Sequence, residues 1–255
     1  MTNQRREFLK GAAALGAAAL AIPSLLQGMP AAERKPDEKG DGFTFLFQGD
    51  SITDGNRSRN NDWNHLMGHG YAYLIASRLW YDHPAKRFHF FNRGISGNKV
   101  PDLAQRWQID ALDIKPDLLS ILIGINDSSA ALGGDASFTI ERYENDYRSL
   151  LKRTREQLPA VQFVLCEPFV LPVGKVKEKW KAYQADMAQR QEVVKKLSEE
   201  FDAIYIGLQD SFNNALSRAT ADYWIWDGVH PMPAGHELIA REWIGQVGKK
   251  LKFIR

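Results

Sequence analysis

Cysteine is nearly absent: Cys166 is the only one in 255 residues. An intramolecular disulfide is therefore excluded in any redox compartment. The apolar setting VQFVLC predicts a buried, inert thiol. No low-complexity tract, internal repeat or Pro/Gly-rich linker divides the chain, so one globular α/β domain behind a short leader is expected, and 44% hydrophobic residues suffice for its core. An excess of either charge is missing too. Three of the 33 basic residues (Arg5, Arg6, Lys10) and one of the 31 acidic ones (Glu7) lie within residues 1–32, so residues 33–255 are formally neutral. Charge therefore gives no reason to expect nucleic acid or an acidic membrane as partner. Neutrality permits self-association as a homo-oligomer without requiring it.

A long apolar run is also lacking. The Ala/Leu stretch after Lys10 is too short and too weakly apolar to be read as a membrane span. Arg5-Arg6-Glu7-Phe8-Leu9-Lys10 ahead of it resembles a twin-arginine export signal, which implies a bacterial periplasmic or secreted protein with no stable membrane anchor once the signal is removed. An N-terminal amphipathic anchor is the plainer alternative. Residues 1–32 are read as signal and leader, with cleavage near Ala19-Leu20-Ala21 or near Ala31-Ala32.

What the remainder does contain is alternation. Short runs rich in Phe, Ile, Leu and Val predict strands over Phe43–Gln48, Phe88–Asn92, Leu118–Ile123, Gln162–Cys166 and Ala203–Ile206. Helical patterns fall between them near Tyr71–Trp80, Asp102–Leu112, Ile140–Gln157 and Trp180–Phe201, with a last one from Ala234 to Leu251. Near-continuous apolar strands between helices predict a parallel sheet covered on both faces. Ligands then bind beyond the carboxyl ends of the strands. Those ends carry Gly49-Asp50-Ser51, "NRGISGN", "GINDSS" and "EPFVLP", and "WIWDGVHP" precedes the final helix.

Ser51 is either a turn former or a nucleophile. A serine hydroxyl needs a base, and the base needs a carboxylate to orient it. Asp227 and His230, three residues apart, can supply both; equally, Asp227 can cap the turn while His230 packs. The N–H groups of Ser51 and Gly97 and the amide of Asn126 can face a developing oxyanion. Gly97 as a turn glycine and Asn126 as an Asx-turn residue are the plainer alternatives.

Taken together, Gly49-Asp50-Ser51, Gly97 in NRGISGN, Gly124-x-Asn126-Asp127 and Asp227-x-x-His230 resemble blocks I, II, III and V of the SGNH hydrolases, or GDSL esterases, in family order. The resemblance implies a flavodoxin-like three-layer α/β/α sandwich around a five-stranded parallel sheet. It implies Ser51 as nucleophile, His230 as base, Asp227 as orienting acid, and an oxyanion hole from Ser51, Gly97 and Asn126, with no metal or organic cofactor. GDSITDGNR, FNRGISGNKVPDLAQRW and WDGVHPMPAGHELIA are similar to bacterial SGNH-type xylan acetylesterases, which implies a small-molecule or polysaccharide acetyl ester as substrate. Residues 56–69 and 168–179 depart from that group and should border the pocket.

Asp50, Arg93 and Trp226 are candidate substrate contacts, with Asp50 also expected to support the turn after the strand; Arg93 could instead pair with a nearby acid. Trp63, Tyr223 and Trp224 are expected mainly in the core, and His65, His69, His83, His89 and His236 at the pocket rim or surface. Competing functions are a lipid-directed esterase, lysophospholipase or thioesterase of the same family, and a catalytically silent carbohydrate-binding protein. A metal phosphoesterase built on Asp50, Asp54, Asp227 and His230 leaves Gly97 and Asn126 without a role. G-x-S-x-G is absent at Ser51, where Thr53 takes the place of the last glycine, which argues against an ordinary α/β-hydrolase.

Overall fold

Strands form where runs of Phe, Leu, Ile and Val end at small or polar residues. The computed structural model describes residues 42–60 and 64–255. The expected leader and Trp63 lie outside the described residues. Within them the strands are β1 (Thr44–Gly49), β2 (His89–Asn92), β3 (Leu118–Leu122), β4 (Gln162–Cys166) and β5 (Ile204–Ile206). All pairings are parallel, in the order β2-β1-β3-β4-β5.

The helices are α1 (Ser51–Asp54), α2 (Tyr71–Asp82), α3 (Val100–Trp107), α4 (Ile125–Leu132), α5 (Ile140–Gln157), α6 (Trp180–Glu200), α7 (Leu208–Ala215), α8 (Ala221–Trp224) and α9 (Pro233–Lys250). Phe45 and Phe47 of β1 share a buried layer with apolar residues of α2, α7 and α9, whereas Leu46 joins those of α3, α5 and α6. With both faces covered, alternate strand residues bury in opposite layers, and the strands read as continuous apolar runs. Phe47 packs near Tyr71 (5.9 Å between ring centroids) and Trp243 (5.6 Å), anchoring β1 to α2 and α9. Truncating so large a buried ring to Ala costs about 3–5 kcal/mol. Two indoles of this core are hydrogen-bonded: the Trp243 N–H donates to Ser120 Oγ (3.0 Å), and that of Trp107 to Thr154 Oγ1 (2.8 Å).

Some boundaries differ from expectation. Helix α3 starts at Val100, not Asp102, because Asp102 Oδ2 accepts the Lys99 N–H (2.8 Å) and so occupies the third helical position. Its expected end, Gln108–Leu112, widens into a π-helical turn. Helices α1, α4, α7 and α8 were not expected. Cys166 is fully buried, and burial pushes its thiol up to about 12, the inert state expected. Among the described residues no helix is long and apolar enough to cross a membrane.

The register matters for function. Gly49 of β1 pairs with Leu122 of β3, and Phe47 pairs with Asn92 of β2. Three carboxyl ends therefore open side by side, and the chain leaves β1 for opposite neighbours, the position at which such sheets form a crevice.

Candidate active site

Asp50 makes the first turn beyond β1. Its Oδ1 accepts the Ile52 N–H at 3.0 Å and caps the one-turn helix α1, so that Ser51 becomes the first helical residue. Asp50 is only 1% exposed, which rules out the expected substrate contact; it supports the turn instead. Burial, reinforced by the charge of Asp127, pushes its carboxyl up to about 7 despite the hydrogen bond from Ile52.

Ser51 Oγ lies 2.8 Å from His230 Nε2. His230 Nδ1 in turn lies 2.8 Å from Asp227 Oδ2, while the other oxygen of Asp227 accepts the N–H groups of Val229 (3.0 Å) and His230 (2.7 Å). The two roles weighed for Asp227 thus coexist: Oδ1 caps the turn and Oδ2 orients the ring. Burial alone would raise this carboxyl, but the His230 N–H and ring, the Val229 N–H and Lys175 hold it at about 2, so it stays ionised. An anion at Nδ1 favours the tautomer with the ring proton there, in which Nε2 faces Ser51 Oγ as an acceptor.

Gly97 stands opposite these in sequence order, on the loop after β2. Its φ of +82° is a left-handed conformation that favours glycine, and nothing lies within 4 Å of where a Cβ would project. Among the described residues none accepts a hydrogen bond from the N–H of Gly97 or of Ser51. Asn126, in the first turn of α4, donates one amide hydrogen to the Asn98 carbonyl at 3.1 Å, which leaves the other. A serine–imidazole–carboxylate chain, with uncommitted donors on the loops that follow neighbouring strands, is an arrangement suited to acyl transfer.

Comparison with known proteins gives the family. A model of the GDSL-like lipase/acylhydrolase family matches residues 47–238. The chain belongs to that family. This GDSL-family chain is 33% identical to an acetylxylan esterase from Geobacillus stearothermophilus over 82% of its own length and 95% of the relative's. A solved chain from Parabacteroides merdae, classed as GDSL-like, superposes with a TM-score of 0.78 at 44% identity, covering 84% of this chain and 99% of that one. The crystal structure of Axe2, an acetylxylan esterase from G. stearothermophilus, superposes with a TM-score of 0.72 at 33% identity over 82% and 95% of the two chains. The protein is a carboxylic ester hydrolase with the three-layer fold expected. Residues 2–21 match a twin-arginine translocation signal, which directs the chain to the periplasm or outside the cell.

Around this GDSL-family site, the other candidates divide. Trp226 is 60% exposed, and its ring is stacked 6.2 Å from that of His230 at 22°. Arg93 instead approaches Asp110 at 3.7 Å and lies over the Phe91 ring, the ion-pairing alternative. Trp224 is buried, whereas Tyr223 is 56% exposed. His236 is half-buried beside His69 and His230: its Nδ1 accepts the Tyr71 N–H (3.2 Å), and burial, with those two histidines nearby, pushes it down to about 4.

Both divergent segments reach the site. Leu171 donates its N–H to the Gly228 carbonyl (3.1 Å), and a Cβ on Gly174 would stand 2.4 Å from Asp227 Cα, so this approach needs glycine. Sequence reasoning missed Lys175, whose Nζ lies 3.1 Å from Asp227 Oδ2, and the Asp54–Arg59 pair on the other side of Ser51. A lone lysine outside the family blocks carries no signal of such a contact.

Proposed function

We propose that the protein is a serine esterase that removes short acyl groups, chiefly acetyl, from plant-type polysaccharides or their oligomers. The observation that carries this is the relay Ser51 Oγ to His230 Nε2 and His230 Nδ1 to Asp227 Oδ2, each 2.8 Å. In the proposed cycle Ser51 Oγ attacks the ester carbonyl carbon while its proton passes to His230 Nε2. The oxyanion takes donors from Ser51, Gly97 and Asn126, each worth about 10²–10³ in rate. Collapse breaks the bond to the alcohol, which leaves with the proton from Nε2. Water then attacks the acyl-enzyme by the same route, releasing acetate and restoring Ser51. Neither a metal nor an organic cofactor has a role in this cycle.

The substrate class is supported by the similarity to an acetylxylan esterase and by the exposed Trp226 beside His230, since sugars lie on aromatic faces. Export with removal of residues 1–32 would bring residues 33–255 to extracellular polymers. The test is acetate release from acetylated xylan, acetylated pectin, simple sugar acetates and longer acyl esters. Preference for acetylated xylan or its oligomers is expected; preference for long acyl chains would overturn the carbohydrate assignment.

A further inference from the structure

Helix α1 carries a second buried carboxylate that the cycle above does not use. Asp54, its last residue, is 3% exposed. Arg59 grips both its oxygens, Nη1 on Oδ1 at 3.0 Å and Nη2 on Oδ2 at 2.6 Å. The Arg57 N–H donates to Oδ1 (3.1 Å) and the Ser96 N–H to Oδ2 (3.0 Å). The last of these spans 42 positions of chain and ends one residue before Gly97.

Parallel bonds tie the same loop to the same helix. Asn92 Nδ2 donates to the carbonyls of Thr53 (2.7 Å) and Asp54 (3.2 Å), and Asn92 Oδ1 accepts the Gly94 N–H (2.9 Å). Arg57 Nε donates to the Gly94 carbonyl at 2.9 Å. Gly97 itself has nothing packed where a side chain would be, so its flanks hold it: Ser96 through Asp54, and Asn98 through Asn126. Burial works against charge on Asp54, but Arg59 and the backbone donors at Ser96 and Arg57 keep it below the usual carboxylate range. An ionised acceptor holds an N–H about twice as strongly as a neutral one.

We infer that Asp54 is a positioning residue for ester hydrolysis: it fixes Ser96, and with it the Gly97 N–H, at the distance from Ser51 that the oxyanion needs, with Arg59 as its counter-ion. Because this rests on Ser51 as nucleophile, the test separates the two. Asp54→Asn keeps the shape but loses the charge and half of the acceptor capacity. Arg59→Gln acts from the surface and spares the fold. For each, and for the parent, active sites are counted by titration with a p-nitrophenyl phosphonate. Turnover of p-nitrophenyl acetate per titrated site and affinity for a phenylboronic acid, which forms a tetrahedral adduct on serine, are then measured.

Asp54→Asn should lower kcat per site by about 10- to 100-fold, with KM within about threefold and boronate affinity falling in step with kcat. Arg59→Gln should move all three the same way by a smaller factor. A merely structural role would reduce the number of titrated sites and leave each site at the parent rate. Asp54→Asn sites turning over within about twofold of the parent, or a lowered kcat with unchanged boronate affinity, overturn the inference. If Asp54→Asn does not fold, parent-like sites in Arg59→Gln overturn it equally. A parent that the phosphonate leaves unlabelled overturns the Ser51 assignment and this inference with it.

Discussion

Lys175 Nζ lies 3.1 Å from Asp227 Oδ2, the oxygen that also faces His230 Nδ1 at 2.8 Å. One carboxylate oxygen is thus shared between a cation on an exposed segment and the ring that serves Ser51. In the proposed cycle Lys175 thus competes with the ring for the charge of Asp227. Lys175→Met should therefore raise kcat for a short acyl ester by about two- to threefold, the scale of one exposed ion pair. The lysine side chain is 57% exposed, so the gain should shrink at high salt. Turnover of parent and variant at two ionic strengths measures it; a lowered kcat would contradict the role.

Asp50 makes stability depend on pH in the opposite sense to an ordinary paired carboxylate. Burial raises it from 3.8 to about 7, so between those values the folded chain holds a proton that the unfolded chain releases. Its contribution is complete below about 4 and is lost as pH rises through about 7. Asp127, raised to about 6 mainly by burial, adds to the same trend. Asp50→Asn cannot ionise yet can still accept the Ile52 N–H. Its unfolding free energy relative to the parent should rise by a few kcal/mol, on the order of what such a shift carries, from acid to neutral pH. Urea unfolding at several pH values checks this, and a constant difference would contradict it.

Trp226 should act on the sugar and not on the chemistry. Trp226→Ala is expected to raise KM for acetylated xylo-oligosaccharides about tenfold, the loss of roughly 1.4 kcal/mol of ring contact. Turnover of p-nitrophenyl acetate should stay within about twofold, since that ester has no sugar to stack. Steady-state kinetics on both substrates decide it. Equal losses on both would instead mean that Trp226 serves to hold the His230 ring, against which it is stacked.

The sheet was legible because burial on both faces leaves continuous apolar runs: Gln162–Cys166 forms β4 over the span expected, as Ile140–Gln157 forms α5. Short helices were not. α1 and α8 have four residues each, too few for a helical period, and α4 is built from "INDSSAAL", whose polar start reads as loop. Ser51, Gly97, Asn126, Asp227 and His230 could be assembled because each follows a strand or precedes the last helix, and topology brings those ends together. The burial of Asp50, the grip of Arg59 on Asp54 and the approach of Lys175 to Asp227 depend on how loops fold back over those ends. Residue type alone does not encode that.

The central claim is that Ser51 carries the acyl group during turnover. Quenching the enzyme in acid while it hydrolyses a short acyl ester, then mapping its peptides by mass spectrometry, tests this directly. The expected result is one acyl group on the peptide containing Ser51, absent from Ser51→Ala, which should also lose at least about 10⁴-fold in kcat. An acyl group trapped on another residue, or Ser51→Ala turning over at the parent rate, would contradict it.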